Sequence, residues 1–181
     1  MHFLIVGFQH ILPEGLDHIL FVLGLFLLSL RLRPLLVQVT AFTIAHTVTL
    51  ALASLGYIVL PPGIVEPIIA GSIVYVAVEN IFSSRLNFWR PAVVFAFGLV
   101  HGLGFAAALG ETGLGGSRFL LRLVGFNVGV EAGQLAIIVP AFFLLATTFG
   151  GRPWFRTRIS IPVSIAIAFV GAYWALERIF F

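Results

Sequence analysis

Long apolar runs follow one another along almost the whole chain, and Arg, Pro and Gly mark the short breaks between them. A helix needs roughly 20 apolar residues to cross the hydrocarbon core of a bilayer, which is about 30 Å thick. Read this way, the runs predict six crossings. They cover about Gly15 to Leu30, Leu35 to Ile58, Val65 to Ser84, Pro91 to Leu109, Phe119 to Thr148 and Ile159 to Ile179. The first run is short. Residues 3–12 are also apolar, and Pro13-Glu14-Gly15 divides them from it. A short leading helix, interfacial or re-entrant, followed by a helix beginning near Asp17 fits that pattern. Pro91 suits the first turn of the fourth helix. The fold class expected is all-α: a polytopic helical bundle forming a single transmembrane domain over 1–181, with no soluble domain and no cleaved signal peptide.

Composition closes the other routes. The chain is 60% hydrophobic and 9% charged, whereas a soluble domain carries about 25% charged residues. The net charge of +3 does not indicate nucleic acid. All ten basic residues are Arg, and most fall in short connections between apolar runs. Without cysteine there is no disulfide framework, thiolate metal site or cysteine nucleophile.

Arginine also sets the orientation. Loops after the first, third and fifth runs hold Arg31, Arg33, Arg85, Arg90, Arg152, Arg156 and Arg158, against Arg118 and Arg122 in the other loops. Seven against two places the odd loops in the cytoplasm and both termini outside, in a bacterial inner membrane. The two halves would then run in opposite senses, as in inverted-repeat transporters, although no sequence similarity joins them.

An ionisable side chain at mid-helix costs roughly 2.5–3.5 kcal/mol on insertion scales, so each one inside a run is a candidate site residue. His46, Glu79, Asn80, His101 and Glu131 lie inside runs, and Asp17 and His18 open the first. Asn127, Glu131 and Gln134 share one helix face, as do Ser72, Tyr75, Glu79 and Ser83. Thr40, Thr43 and Thr47 flank His46, and Gly98, Gly102 and Ala106 form a small-residue row beside His101. Stripes on four helices point to a shared polar cavity. By position along the runs, Asp17, His18 and Asn127 lie near the outer end, His46 and His101 near the midplane, Glu131 in the outer half and Glu79 in the inner half.

Neutral imidazoles and carboxylates without thiolate suit a borderline divalent ion such as Ni²⁺, Co²⁺ or Zn²⁺. Mg²⁺ prefers oxygen ligands alone. Asp17 beside His18 also suits an orienting partner for a ligand histidine. Glu66, Glu111 and Glu177 read as solvated or helix-end charges.

The blocks "GFQHILPEGLDHILFVLGL", "FTIAHTVTLALASLG", "VEPIIAGSIVYVAVENI", "FGLVHGLGFAAAL" and "GFNVGVEAGQL" resemble the HupE/UreJ family, in its second, widespread form, over residues 7–140. Members are associated with hydrogenase and urease gene clusters and described as nickel or cobalt permeases or metallochaperone-like accessory proteins. The resemblance implies a Ni²⁺ permease whose partners are the bilayer, the metal ion and nickel-enzyme maturation machinery. A His followed by Asp-His marks the nickel permeases. Here it takes the form of His10 with Asp17-His18, across a longer gap of six residues. His46, Glu79, His101 and Glu131 lie in matching blocks and carry over as pathway residues, with Asn80, Asn127, Gln134, Thr43 and Tyr75 as polar support.

Two functions compete. A permease would spread its groups along a path, and the absence of a Gly-x-x-x-x-Gly-Lys-Ser/Thr motif points to transport driven by gradients. A membrane-embedded zinc hydrolase would gather its ligands at one level and keep one position open for water. The spread of depths along the runs favours the permease and a protein that is not an enzyme.

Overall fold

The computed structural model describes residues 2–111 and 118–181, with only the backbone of 106–111. Helices α1 (His2–Ile11), α2 (Leu16–Leu28), α3 (Leu32–Ser54), α4 (Pro62–Phe82), α5 (Arg90–Glu111), α6 (Phe119–Phe149) and α7 (Arg156–Phe180) form an all-helical membrane bundle. The Gly-rich stretch 110–117, whose sequence reads as a loop between the fourth and fifth apolar runs, lies outside the described residues, apart from Gly110 and Glu111, which close α5.

Sequence punctuation accounts for the ends. Pro62 opens α4 at its first turn, where a missing N–H costs nothing. At the end of α3, Gly56 takes φ +78, and the N–H groups of Gly56 and Tyr57 reach back to the carbonyls of Ala53 and Leu52. That left-handed residue closes a Schellman motif and favours glycine. π-helical turns occur in α6 at Phe142–Ala146 and in α7 at Arg156–Ser160. The second is followed by Pro162, whose missing N–H leaves the Arg158 carbonyl without its α-type partner.

Four helices are long and apolar enough to cross a membrane: α3, α4, α6 and α7. The pair α1–α2 makes a fifth if its two halves count as one span. The expectation of six crossings is thus not reproduced on the described residues. The backbone helix of α5 runs 22 residues, and its stretch Arg90–Phe105 is a shorter apolar helix.

The leading helix is a finding in itself. The chain bends by 66° between α1 and α2, and α1 packs along α6. Gly7 and Gly129 permit that approach. A Cβ at Gly7 would strike the Phe126 carbonyl, and one at Gly129 the Leu4 carbonyl. α3 and α5 make the most extensive pairing, through Gly98 and Gly102 set against the backbone of Phe42 and His46. These are the first two members of the small-residue row; the side chain of Ala106 lies outside the described residues. Gly102→Val is expected to force α3 and α5 apart at a cost of about 1–3 kcal/mol. A lowered midpoint in detergent-denaturant unfolding checks this.

Two apolar clusters fill the bundle. One gathers Phe21, Leu25, Phe42, Ile73 and Val76, and the other gathers Ile11, Leu50, Leu123, Phe126 and Val130. The ring of His46 stacks on Phe42 of the first and Phe126 of the second, with centroids 6.1 and 6.4 Å away. The histidines therefore sit at the seam between the clusters.

Candidate metal site

Four histidines from four helices meet there: His10 of α1, His18 of α2, His46 of α3 and His101 of α5. Ring centroids are 4.6 Å apart for His10–His18, 5.7 Å for His10–His46, 5.9 Å for His18–His46 and 5.0 Å for His18–His101. All four are buried. Ligand atoms of His10, His18 and His46 lie within 4.8 Å of one another, as do those of Asp17, His18 and His101. His18 belongs to both groups.

This corrects the depths expected from sequence, which set Asp17 and His18 nearer the outer end than His46 and His101. Helix lengths give the reason. α2 has 13 residues, too few to cross, so its start is sunk within the bundle. Counted from the helix ends at the arginine-bearing loops, His18, His46 and His101 lie roughly 15, 21 and 17 Å along their helices at 1.5 Å per residue. The bend between α1 and α2 then brings His10, near the end of α1, to 4.6 Å from His18. Gly15 shapes the turn: a Cβ there would meet the His10 carbonyl.

The hydrogen-bond network fixes two tautomers. Asp17 Oδ1 accepts the His18 backbone N–H at 2.8 Å and faces His18 Nδ1 at 3.0 Å. Nδ1 therefore carries the hydrogen, and Nε2 is left with its lone pair. Ser72 Oγ donates to the Ile69 carbonyl at 2.7 Å, so it accepts from His101 Nε2–H at 2.9 Å. The lone pair of His101 is then on Nδ1. His18 Nε2, His101 Nδ1, His10 Nε2 and both nitrogens of His46 are buried with no hydrogen-bond partner. Unpaired buried nitrogens are unfavourable. A metal ion would satisfy the lone-pair nitrogens, one of them on His46, with Asp17 and Ser72 orienting the rings of His18 and His101 from behind. The donor set fits a borderline divalent ion.

A small cavity of about 190 Å³ leads to the cluster, bordered by His10, Asp17, His18, His101, Glu66 and Arg178. Glu66 and Arg178 pair across it, with Nε 3.6 Å from the carboxylate. On the other side Phe21 and Phe42, both 1% exposed, form an aromatic floor.

Other expected site residues lie elsewhere. Glu79 pairs with Arg90 at 3.4 Å, within the bundle, and joins neither histidine group. Glu131 accepts from Thr40 at 3.4 Å, Gln134 from Thr43 at 2.9 Å, and Asn127 from Thr47 at 2.6 Å. The polar stripes of α3 and α6 thus bond to each other across the helix interface instead of opening to a shared cavity. Asn80 donates to the Gly24 carbonyl and to Ser164, tying α4 to α2 and α7. Tyr75 is partly exposed and packs edge-on to Phe97. Ser72 was legible only as a stripe member, and Glu66 only as a helix-end charge. Their places beside His101 and at the mouth depend on how helices cross, which no local pattern encodes.

Ser72→Ala removes the acceptor that holds His101 in its tautomer. Metal affinity is expected to fall about 10–100-fold, with helical content unchanged, as read by Ni²⁺ titration calorimetry and circular dichroism.

Fold and site together define a multi-pass helical membrane protein with a buried His/Asp cluster beneath a small vestibule. The HupE / UreJ protein family model matches residues 1–178, and the chain belongs to that family. No curated protein and no solved structure matches it.

Proposed function

We propose that this protein takes up a divalent transition-metal ion through the vestibule and passes it across the bilayer as a permease. One observation carries the reading: buried imidazoles from four helices, each with a partnerless ring nitrogen, form two adjoining ligand groups that share His18. Ni²⁺ is the first choice, with Co²⁺ and Zn²⁺ as alternatives, because the family is associated with hydrogenase and urease gene clusters and neutral imidazole suits all three. Ligand imidazoles must be deprotonated, so capture weakens as pH falls and release is assisted by protons. In a bacterial inner membrane with both termini outside, as the arginine loops favour, the vestibule faces outward. Nickel-enzyme maturation machinery would receive the ion on the far side. Passage requires Phe21 and Phe42, with centroids 5.1 Å apart, to separate.

A membrane-embedded zinc hydrolase is the second reading. The gathering of ligands at one level above a closed aromatic floor favours it. Here Asp17, the most exposed member of the cluster at 23%, would act as general base on water bound at the metal.

Ni²⁺ influx into liposomes containing the purified protein separates the two. Saturable influx that disappears in His101→Ala is expected, with competition by Co²⁺ and Zn²⁺. Folded protein that holds metal but gives no influx would overturn the permease and leave the hydrolase.

A further inference from the structure

A larger cavity of about 840 Å³ lies at the other ends of α2 and α4 from the vestibule. Arg31, Arg85, Arg152 and Arg156 line it, and no Asp or Glu does. Arg156 is engaged: its guanidinium donates to the carbonyls of Asn80, Ile81 and Ser83 at 2.7–3.0 Å, closing the C-terminal end of α4. The side chains of Arg31, Arg85 and Arg152 are exposed, with no hydrogen-bond or ion-pair partner among the described residues. The N-terminus of α3 opens into the same cavity. Arg31 is its N-cap and makes no side-chain cap bond, and Pro34 is part of the lining. Leu30 and Phe142 supply an apolar wall.

We propose that this cavity is a binding site for a net-anionic phosphate compound, its oxygens held by Arg31, Arg85 and Arg152. The planar guanidinium fork matches phosphate oxygens two at a time. Basic pockets between membrane helices on the cytoplasmic side are suited to anionic headgroups. With no carboxylate in the lining, the cavity repels a free divalent cation, so its chemistry is separate from that of the histidine cluster. The site holds whether or not metal crosses the protein. Two sources carry the same group: an anionic phospholipid, whose chains would lie against Leu30 and Phe142, and a soluble phosphate compound.

The test is the melting midpoint of the full-length protein in detergent, titrated with dioctanoyl phosphatidylglycerol, dioctanoyl phosphatidylcholine or inorganic pyrophosphate. Phosphatidylglycerol is expected to raise the midpoint saturably, and phosphatidylcholine is not. Removing two cavity charges in R85Q/R152Q should weaken the effect about thirtyfold. R33Q/R158Q, which removes two exposed charges outside the cavity, should leave it unchanged. If R85Q/R152Q does not fold, R85Q alone carries the comparison, with about fivefold expected. Pyrophosphate that reproduces the shift with the same dependence on Arg85 and Arg152 identifies a soluble phosphate compound as the source. A response confined to phosphatidylglycerol identifies lipid. The proposal is overturned if neither phosphatidylglycerol nor pyrophosphate saturates, if phosphatidylcholine matches phosphatidylglycerol, or if both double variants lose the effect equally.

Discussion

Replacing His18 with alanine is expected to abolish tight metal binding, with affinity reduced by more than about 100-fold. Loss of a partner behind a ligand already costs 10–100-fold, and His18 is itself the ligand shared by both groups of three. It is also the ring that Asp17 orients, through Nδ1 at 3.0 Å. His46→Ala or His101→Ala removes a member of one group only, so each should cost less than His18→Ala. The fold should survive, because the imidazole is replaced by a smaller apolar side chain next to Phe42 and His101. Equilibrium Ni²⁺ titration of the three variants, alongside circular dichroism, checks the order.

The importance of His18 was visible in sequence; its neighbours were not. Asp17-His18 stood out because charge at the start of an apolar run is unfavourable. Helix positions were legible in part: Pro91 marks a first turn through its own backbone chemistry, whereas α3 ends at Ser54 and α4 opens at Pro62, not at the Ile58 and Val65 bounds of the apolar runs. The break at residues 13–15 announced two short helices in place of one span. Depth could not be read, because counting along a run assumes a straight helix that begins at the membrane surface. The chain bends by 66° between α1 and α2 and α2 starts sunk, so residues eight apart, His10 and His18, flank the bend and come close to His46 and His101. Polar stripes misled in another way. A row of Thr, Asn, Glu and Gln looks the same whether it lines a cavity or bonds to a neighbouring helix. Thr43 with Gln134 and Thr47 with Asn127 do the latter.

Glu79 shows the difference most sharply, and its replacement carries the second large effect. Glu79→Ala is expected to destabilise the protein by about 3–5 kcal/mol while leaving metal affinity unchanged. Arg90 is 1% exposed and Glu79 8%, with 3.4 Å between their charged atoms. Removing the carboxylate strands a guanidinium in an apolar interior, and an uncompensated buried charge costs about that much. The double replacement Glu79→Leu with Arg90→Leu removes both charges and should recover most of the loss, since buried pairs exchanged for apolar residues are often neutral or stabilising. Unfolding midpoints of the single and double variants, with Ni²⁺ affinity measured on the same samples, distinguish an ion pair from a metal ligand. A pathway role for Glu79 would show instead as lost metal binding or influx with little change in stability.

The histidine cluster as a metal centre is the central claim, and X-ray absorption at the nickel edge of purified protein loaded with one equivalent of Ni²⁺ tests it most directly. The account predicts one ion per chain, with imidazole scattering from three or four histidines and no sulfur, lost in His18→Ala. Folded protein that retains no stoichiometric nickel, or nickel whose spectrum lacks imidazole and does not change in His18→Ala, would contradict it.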